Sequence, residues 1–298
     1  MYKEKSFTLI ELLVVIVIIG ILAGVIMIST SSSINKANIT KSKVFSESIK
    51  NKLMLSLVSE WNFDATTVGL LTSHVDIKDV WGTNNANSIT GTGIQVSSDC
   101  VSGNCLYFPG DVANKVSIND NSSIDLLGEL TVSLWLKVTG QRVITSAPIR
   151  KGNTSWMFYI EESSGTTGGI DWLGRLNDNT AWDFWCDSAY NLNEWHYVVG
   201  TFSKTQKIAQ IYNNTKKTDE ESGVDITGND LYDSDTLDFG DNWGLYYMGY
   251  LDEVSLFNEV LTSAQIRQNY IAGLDSLLSN GNISKEDYNQ RINELAYE

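Results

Sequence analysis

Tryptophans and short polar side chains crowd together in one segment of this 298-residue chain. Trp156, Trp172, Trp182 and Trp185 fall among Asp171, Asn177, Asp178, Asn179 and Asp183, around the run GGIDWLGRLNDNTAWDFW. An indole face can stack on the apolar side of a sugar ring while amides and carboxylates hydrogen-bond its hydroxyls. Trp172, Trp182, Trp185 and Asp183 are therefore the ligand-binding candidates. The competing use of such tryptophans is to fill a core, since Trp is seldom fully exposed. Trp135 and Trp195, in regular alternating runs, are assigned that use, whereas Trp182 and Trp185 sit on less regular sequence.

Glu11 is the second chemically conspicuous residue. It stands near the start of Phe7–Ile28, FTLIELLVVIVIIGILAGVIMI, a stretch otherwise almost wholly apolar. At about 1.5 Å per residue this stretch spans a hydrocarbon core of roughly 30 Å. It is longer than the apolar core of a secretory signal peptide. A lone carboxylate there costs about 2.5–3.5 kcal/mol on insertion scales and marks a functional position. Its natural partner is a positive charge from a neighbouring subunit, such as a free N-terminal amine. The alternative is a place at headgroup level, where the helix dipole suits a negative charge. Lys3 and Lys5 precede the stretch and Lys36, Lys41 and Lys43 follow it, so charge alone does not orient it.

The elements that must position these residues follow in order. From Ser29 to Leu57, Ile34, Ala37, Phe45, Ile49 and Leu53 recur at helical spacing, the mark of an amphipathic helix. From Leu57 to about Ile271, short alternating runs such as LTVSLWLKV, WMFYIE and EWHYVVGTF are separated by Gly, Asn, Asp and Ser clusters. That is the pattern of an all-β sandwich or jelly roll of antiparallel strands. Gly273–Glu298 reads as two short helices about a Gly-containing turn, the second capped by Ser284 with Asp287 three residues on.

Charge divides the chain at the same place. Residues 1–56 carry seven Lys against three Glu, while the remainder carries 14 Lys and Arg against 33 Asp and Glu. So acidic a head excludes nucleic acid as its partner, because phosphate contacts need cations. Cys100 and Cys105 flank a tight turn at Gly103-Asn104, and a head outside the cytoplasm favours a local disulfide between them. Cys186 has no evident partner and reads as a small buried apolar residue.

The ordered run Ser6-Phe7-Thr8-Leu9-Ile10-Glu11, continued by the apolar residues to Ala23, resembles the N-terminus of type IV prepilins and pseudopilins. The resemblance implies a leader over residues 1–6, cleavage by a prepilin peptidase between Ser6 and Phe7, and N-methylation of Phe7. It further implies that Glu11 pairs with the Phe7 amine of an adjacent subunit during filament assembly. Two departures are Ser6, where the family usually has Gly, and Ile28, where many members have a kinking proline.

WNFD at Trp61–Asp64, CLYFPGDVANKVSI at Cys105–Ile118, LTVSLWLK at Leu130–Lys137, NEWHYVVGTF at Asn193–Phe202 and GYLDEVSLFNEVLT at Gly249–Thr262 resemble, in this order, a laminin-G-like domain of the concanavalin A-like superfamily. The resemblance spans roughly 57–272 and implies a jelly-roll sandwich. It also raises hydrolysis, since the superfamily includes glucanases. A retaining glycosidase needs two carboxylates about 5–5.5 Å apart, and the glucanases place theirs in a Glu-x-Asp-x-x-Glu run absent here. The adjacent Asp252 and Glu253 would point to opposite faces of a strand. His196, inside Trp195-His196-Tyr197, reads as a packed structural residue, and no catalytic residue is assigned. Relatives of the fold often hold calcium, for which Asp111, Asn114 and Asp252 are the candidates. Turn capping and backbone hydrogen bonds are the competing uses of these three, and no metal or other cofactor is assigned.

Together these readings predict an anchor and filament-core helix at 7–28, an amphipathic helix at 29–56, a jelly-roll head at 57–272 and a helical tail at 273–298. The leading function is a surface filament subunit, minor or tip-located, whose head binds glycans or proteins for adhesion. Its partners are then the membrane, other pilin subunits and the prepilin peptidase. The alternatives are a pseudopilin with a structural head and a membrane-tethered lectin that never polymerises.

Overall fold

The computed structural model describes residues 9–19, 53–110, 113–125, 128–140, 146–152, 155–161, 166–175, 183–224, 234–242 and 245–295. Ser6 and Phe7 lie outside these residues, as do residues 20–52, which include most of the expected amphipathic helix. The chain divides into two compact units, Met1–Lys52 and Leu53–Glu298. In the first, residues 9–19 are α-helical, as an unbroken run of Leu, Ile and Val with Glu11 allows. Apolar side chains cover that helix from Leu9 to Ile19 and are exposed. Among the described residues no helix is long and apolar enough to cross a membrane.

In the second unit the described strands are, in chain order, β1 (Leu57–Trp61), β2 (Gly69–Leu70), β3 (Ala86–Thr90), β4 (Gln95–Ser97), β5 (Cys105–Pro109), β6 (Lys115–Ile118), β7 (Glu129–Val138), β8 (Ser146–Lys151) and β9 (Trp156–Ile160). They continue with β10 (Thr167–Gly174), β11 (Phe184–Asn191), β12 (His196–Ser203), β13 (Ile208–Asn213), β14 (Lys216–Ser222), β15 (Leu237–Phe239), β16 (Asp241–Asn242), β17 (Leu245–Tyr246) and β18 (Met248–Phe257). One sheet has the order β14-β13-β12-β7-β18-β5-β4-β2, with β1 also paired to β18; the other has the order β11-β10-β9-β8-β15-β6-β3. The pairings within both are antiparallel. This is the all-β sandwich that the alternating runs predict.

The main core lies between the two sheets. Val132, Leu134 and Leu136 of β7 and Val198 and Phe202 of β12 meet Phe158, Trp172 and Phe184 of the opposite sheet there. Alternation sends Trp135 of β7 and Tyr197 and Val199 of β12 to the other face of their sheet. That face is also buried, under the C-terminal helices α1 (Ser263–Ser279) and α2 (Lys285–Glu294). Ile266, Tyr270, Leu274 and Leu277 of α1 pack on it, with the Tyr270 and Trp135 rings stacked 5.5 Å apart.

Helix α1 starts at a capping box in which Thr262 accepts from the Gln265 amide and the Gln265 side chain accepts from the Thr262 amide. It runs unbroken across residue 272, so the first half of the expected tail is the end of a helix begun at Ser263. Gly273 sits inside it because a Cβ there would stand 2.3 Å from the Trp135 ring, too close for any other residue. Ser284 caps α2 through the Asp287 amide at 3.0 Å, as its sequence spacing predicts.

Candidate functional site

Strand β10 decides which of the candidate residues can meet a ligand. Trp172 is fully buried, so its assignment as a ligand-binding residue is corrected. Its ring lies 4.9 Å from that of Phe158 and 5.8 Å from that of Phe184, and its indole nitrogen donates to the Thr201 carbonyl at 3.0 Å. Trp156, Trp135 and Trp195 are likewise buried. The reason is parity: Phe158, Trp172 and Cys186 face one another across β9, β10 and β11 and turn together into the sandwich.

The neighbouring row turns outward. Asp171 of β10 lies opposite Tyr159 of β9 and Asp187 of β11. Two positions back along β11, on that same outer face, Trp185 is 42% exposed and meets the Tyr159 ring edge-on at 6.4 Å. Asp183 is half-buried where β11 begins, its amide donating to the Gly174 carbonyl at 2.9 Å. Trp182, with Asn177, Asp178 and Asn179, lies outside the described residues.

The electrostatics of this face centre on Asp171, which is only 1% exposed and whose Oδ2 has no hydrogen-bond partner. Burial chiefly, and then the charges of Glu161 and Asp187, push its carboxyl up to about 8, while a hydrogen bond to the Trp185 side chain opposes them. Asp171 is therefore protonated at neutral pH and can donate a hydrogen bond. Beneath lie Ala147, Met157 and Leu173, a small apolar floor with Tyr159 at its side. An exposed indole, a tyrosine ring and the carboxylates of Glu161 and Asp187 suit a polyhydroxylated ligand, with stacking on one side and hydrogen bonds at the edge.

Sequence reasoning placed Asp171 in the right cluster but passed over Tyr159, Glu161 and Asp187. Alternation alone puts Asp171 and Trp172 on opposite faces, and that signal was available. Which residues stand beside Asp171 depends on strand register, which local sequence does not encode.

The edges of the two sheets meet beside this face. The Trp185 amide donates to Glu221 at 2.7 Å and the Asp187 amide to Asp219 at 2.9 Å. Carboxylates of β14 thus occupy outward-facing amides of β11 that would otherwise remain open to strand addition.

The remaining candidates have structural employment. Cys100 and Cys105 form a disulfide, the local bond expected of a head outside the cytoplasm. Asp252 is fully buried and accepts from the Val101, Ser102 and Glu253 amides at 2.9, 3.0 and 2.9 Å, which pins the disulfide loop to β18. Oxygens already facing N–H donors do not fit a calcium site. Asn114 is also buried and accepts from the Gly93 amide at 2.8 Å, and Asp111 lies outside the described residues. Among the described residues no group of three His, Cys, Asp or Glu side chains is placed to hold a metal ion.

His196 is buried, with Nε2 accepting from the Asn191 amide at 3.0 Å and Nδ1 3.1 Å from Asn213 Oδ1. Burial lowers its pKa, so it is a neutral structural residue. Cys186 is buried and unpaired, its thiol pushed up to about 12 mainly by burial. Glu253 adopts a left-handed conformation (φ 48°) at a bulge in β18, so the simple alternation expected for Asp252-Glu253 does not hold there.

Both sequence resemblances hold in comparison with known families. Residues 110–267, more than half of the chain, match the family described as the concanavalin A-like lectin/glucanases superfamily, and the chain belongs to it. Residues 1–27 match the prokaryotic N-terminal methylation motif. No curated protein matches the chain in sequence.

Among solved structures, the head is similar to the binding domain of Paraclostridial mosquitocidal protein 1, at 17% identity and a TM-score of 0.57 over 75% of this chain and 53% of that one. It is also similar to the receptor-binding domain of a botulinum neurotoxin C/D mosaic, at 18% identity and 0.57 over 74% and 52%. A third is botulinum neurotoxin type C, which depends on interaction with two ganglioside molecules to enter cells, at 15% identity and 0.55 over 75% and 53%. The chain spans about half the length of these structures, and at such identities the likeness is one of fold.

Proposed function

We propose that this protein is a subunit of a type IV pilin-like surface filament, minor or tip-located, whose lectin-like head binds glycans or surface proteins for adhesion. The observation that carries the reading is the joining, in one chain, of the N-terminal methylation motif at 1–27 to a concanavalin A-like domain. On this reading a prepilin peptidase cuts between Ser6 and Phe7 and Phe7 is methylated. Glu11 then answers the new amine of a neighbouring subunit, which relieves the cost of a carboxylate in an apolar span. Before assembly the helix anchors the chain in the cell membrane with the head outside the cytoplasm; afterwards the exposed Leu, Ile and Val side chains of 9–19 pack in the filament core.

The head's binding face is the outer surface of β9, β10 and β11, with Trp185 as the stacking platform. Several similar structures are receptor- or ganglioside-binding domains, which supports a glycan ligand. We read the face as a binding site and not as a hydrolase. Its protonated carboxyl, Asp171, is buried against Trp185 and does not stand open to a scissile bond. The reading calls for no cofactor.

Intact-mass measurement of the mature protein tests the anchor half. A chain beginning at Phe7, one methyl group heavier and with the Cys100–Cys105 bond intact, is the expected result. An uncleaved monomer that stays in the membrane would overturn it.

A further inference from the structure

A cleft of about 740 Å³ opens where the turns leading into β12 and β14 face helix α2, against the outer face of the nine-stranded sheet. It lies away from Trp185 and meets that residue's sheet at Asn191, the last residue of β11. Its volume falls in the ordinary range of small-ligand pockets, and six of its lining side chains are amides.

Three of those amides are only partly used, and a fourth is not used at all. Asn191 Nδ2 donates to Glu194, Asn282 Nδ2 donates to the Cys100 carbonyl, and Asn214 Oδ1 accepts from the Tyr197 amide. Among the described residues the other half of each amide has no partner, and the exposed Asn193 uses neither half. The cleft thus offers acceptors at Asn191 and Asn282, a donor at Asn214 and both at Asn193. Vicinal hydroxyls, each donor and acceptor, are the groups that such a mixed set satisfies.

Trp195 supplies the independent observation. It lines the cleft and is 5% exposed, yet its indole N–H has no acceptor. An unsatisfied buried donor costs roughly 1–3 kcal/mol; the indole nitrogen is itself covered, so a ligand oxygen would remove that cost by displacing the atoms that cover it.

Charge narrows the ligand. Four carboxylates line the cleft against three cations, and two of the cations are already paired: Lys137 with Asp99 at 3.0 Å and Arg291 with Asp287 at 3.0 Å. Lys137 also lies over the rings of Trp195 and Tyr250, at 5.1 and 4.5 Å. Such a lining offers little to an anion.

We propose that this cleft is a binding site for a neutral oligosaccharide, with the C-terminal helix α2 as one of its walls. The site stands independently of the Trp185 face and gives the C-terminal hairpin a role beyond covering the sheet.

The test uses the full chain in detergent micelles on a printed array of neutral malto-, cello-, manno- and chito-oligosaccharides beside sialylated and uronic ones. Three variants accompany it. Trp195→Phe keeps the ring and removes the donor. Asn193→Gly removes the amide at a position whose φ of 64° glycine adopts freely. Trp185→Ala disables the other face.

The expected result is binding of a neutral oligosaccharide that survives Trp185→Ala and weakens about tenfold or more in Trp195→Phe and Asn193→Gly. Near-UV circular dichroism checks that the variants fold, and if Trp195→Phe does not, Asn193→Gly decides alone. The proposal is overturned if no neutral oligosaccharide binds, if only acidic ones bind, or if binding is indifferent to both cleft variants. Loss of all binding in Trp185→Ala would assign the ligand to the other face and overturn it as well.

Discussion

Trp172 lies flat against the bare backbone of Gly200, so that a Cβ on Gly200 would stand 2.4 Å from the indole ring. The contact joins β10 of one sheet to β12 of the other at the centre of the sandwich, and the Trp172 indole completes it by donating to Thr201. Gly200→Ala must therefore push the sheets apart or force the ring off its rotamer. The expected cost is about 2–3 kcal/mol for overpacking, and about 3–5 kcal/mol for Trp172→Ala through the cavity it leaves. Urea unfolding of the full chain in micelles measures both. A Trp172→Ala variant of unchanged midpoint would contradict its place in the core.

Trp185 offers the opposite case. Its ring is half-exposed and takes no part in the main core, so Trp185→Ala is expected to shift stability by less than about 1 kcal/mol. Binding to glycans presented at the outer face should fall about tenfold or more, the usual cost of removing an aromatic anchor. Surface plasmon resonance against an array-selected glycan reads the loss. A large drop in melting temperature would show instead that Trp185 is structural.

The pH dependence of stability follows from Asp171 and Glu253. Burial raises Asp171 from 3.8 to about 8 and Glu253 from 4.5 to about 7. Each folded-state value lies above its unfolded one, so the folded chain holds protons that the unfolded chain releases. Their contribution is complete below the unfolded values and is lost as pH rises through about 7 and about 8. Buried His196, with its lowered value, acts in the other direction and only below about 6.5. The urea midpoint should therefore fall between about pH 6.5 and about pH 9, and Asp171→Asn, which cannot ionise, should flatten that fall. An equally steep fall in the variant would remove Asp171 from the account.

Reduction of the Cys100–Cys105 bond opens a loop that Asp252 also holds through two hydrogen bonds, from the Val101 and Ser102 amides. For so short a loop the chain-entropy model gives about 2 kcal/mol. Cys100→Ser with Cys105→Ser should lower stability by that much without unfolding the head. Asp252→Ala should cost more, about 3 kcal/mol, because it leaves two buried amides of the loop without an acceptor. Thermal melts of the two variants side by side give the comparison.

Glu11→Ala separates anchoring from assembly. Removing the carboxylate makes the N-terminal stretch more apolar, so membrane insertion should persist or improve. Incorporation into filaments should fall to near background, since the subunit loses its answer to a neighbouring amine. Fractionation into membrane and sheared-filament pools measures both, and normal incorporation of Glu11→Ala would sink the pairing.

Much of this molecule was legible in its sequence. The methylation segment is a contiguous run whose apolar length and single carboxylate carry their meaning without tertiary contacts. The alternating strands and the caps at Thr262 and Ser284 are also local, as is the disulfide across Gly103-Asn104. Each depends on residues within a few positions of one another, where backbone geometry leaves few choices.

The tertiary structure decided what lay between distant residues. Alternation on β10 gives two faces, one with Trp172 and one with Asp171 and Leu173, but both carry apolar residues, so sequence did not say which face was the core. The opposite sheet resolved it, because Gly200 leaves room there for the Trp172 indole. The partners of Asp171 came from the register of β9 and β11, and the cleft at Trp195 from the docking of a helix that begins some ninety residues further on. Those pairings rest on packing and desolvation between elements remote in the chain, and no short stretch of sequence contains the physics that selects them.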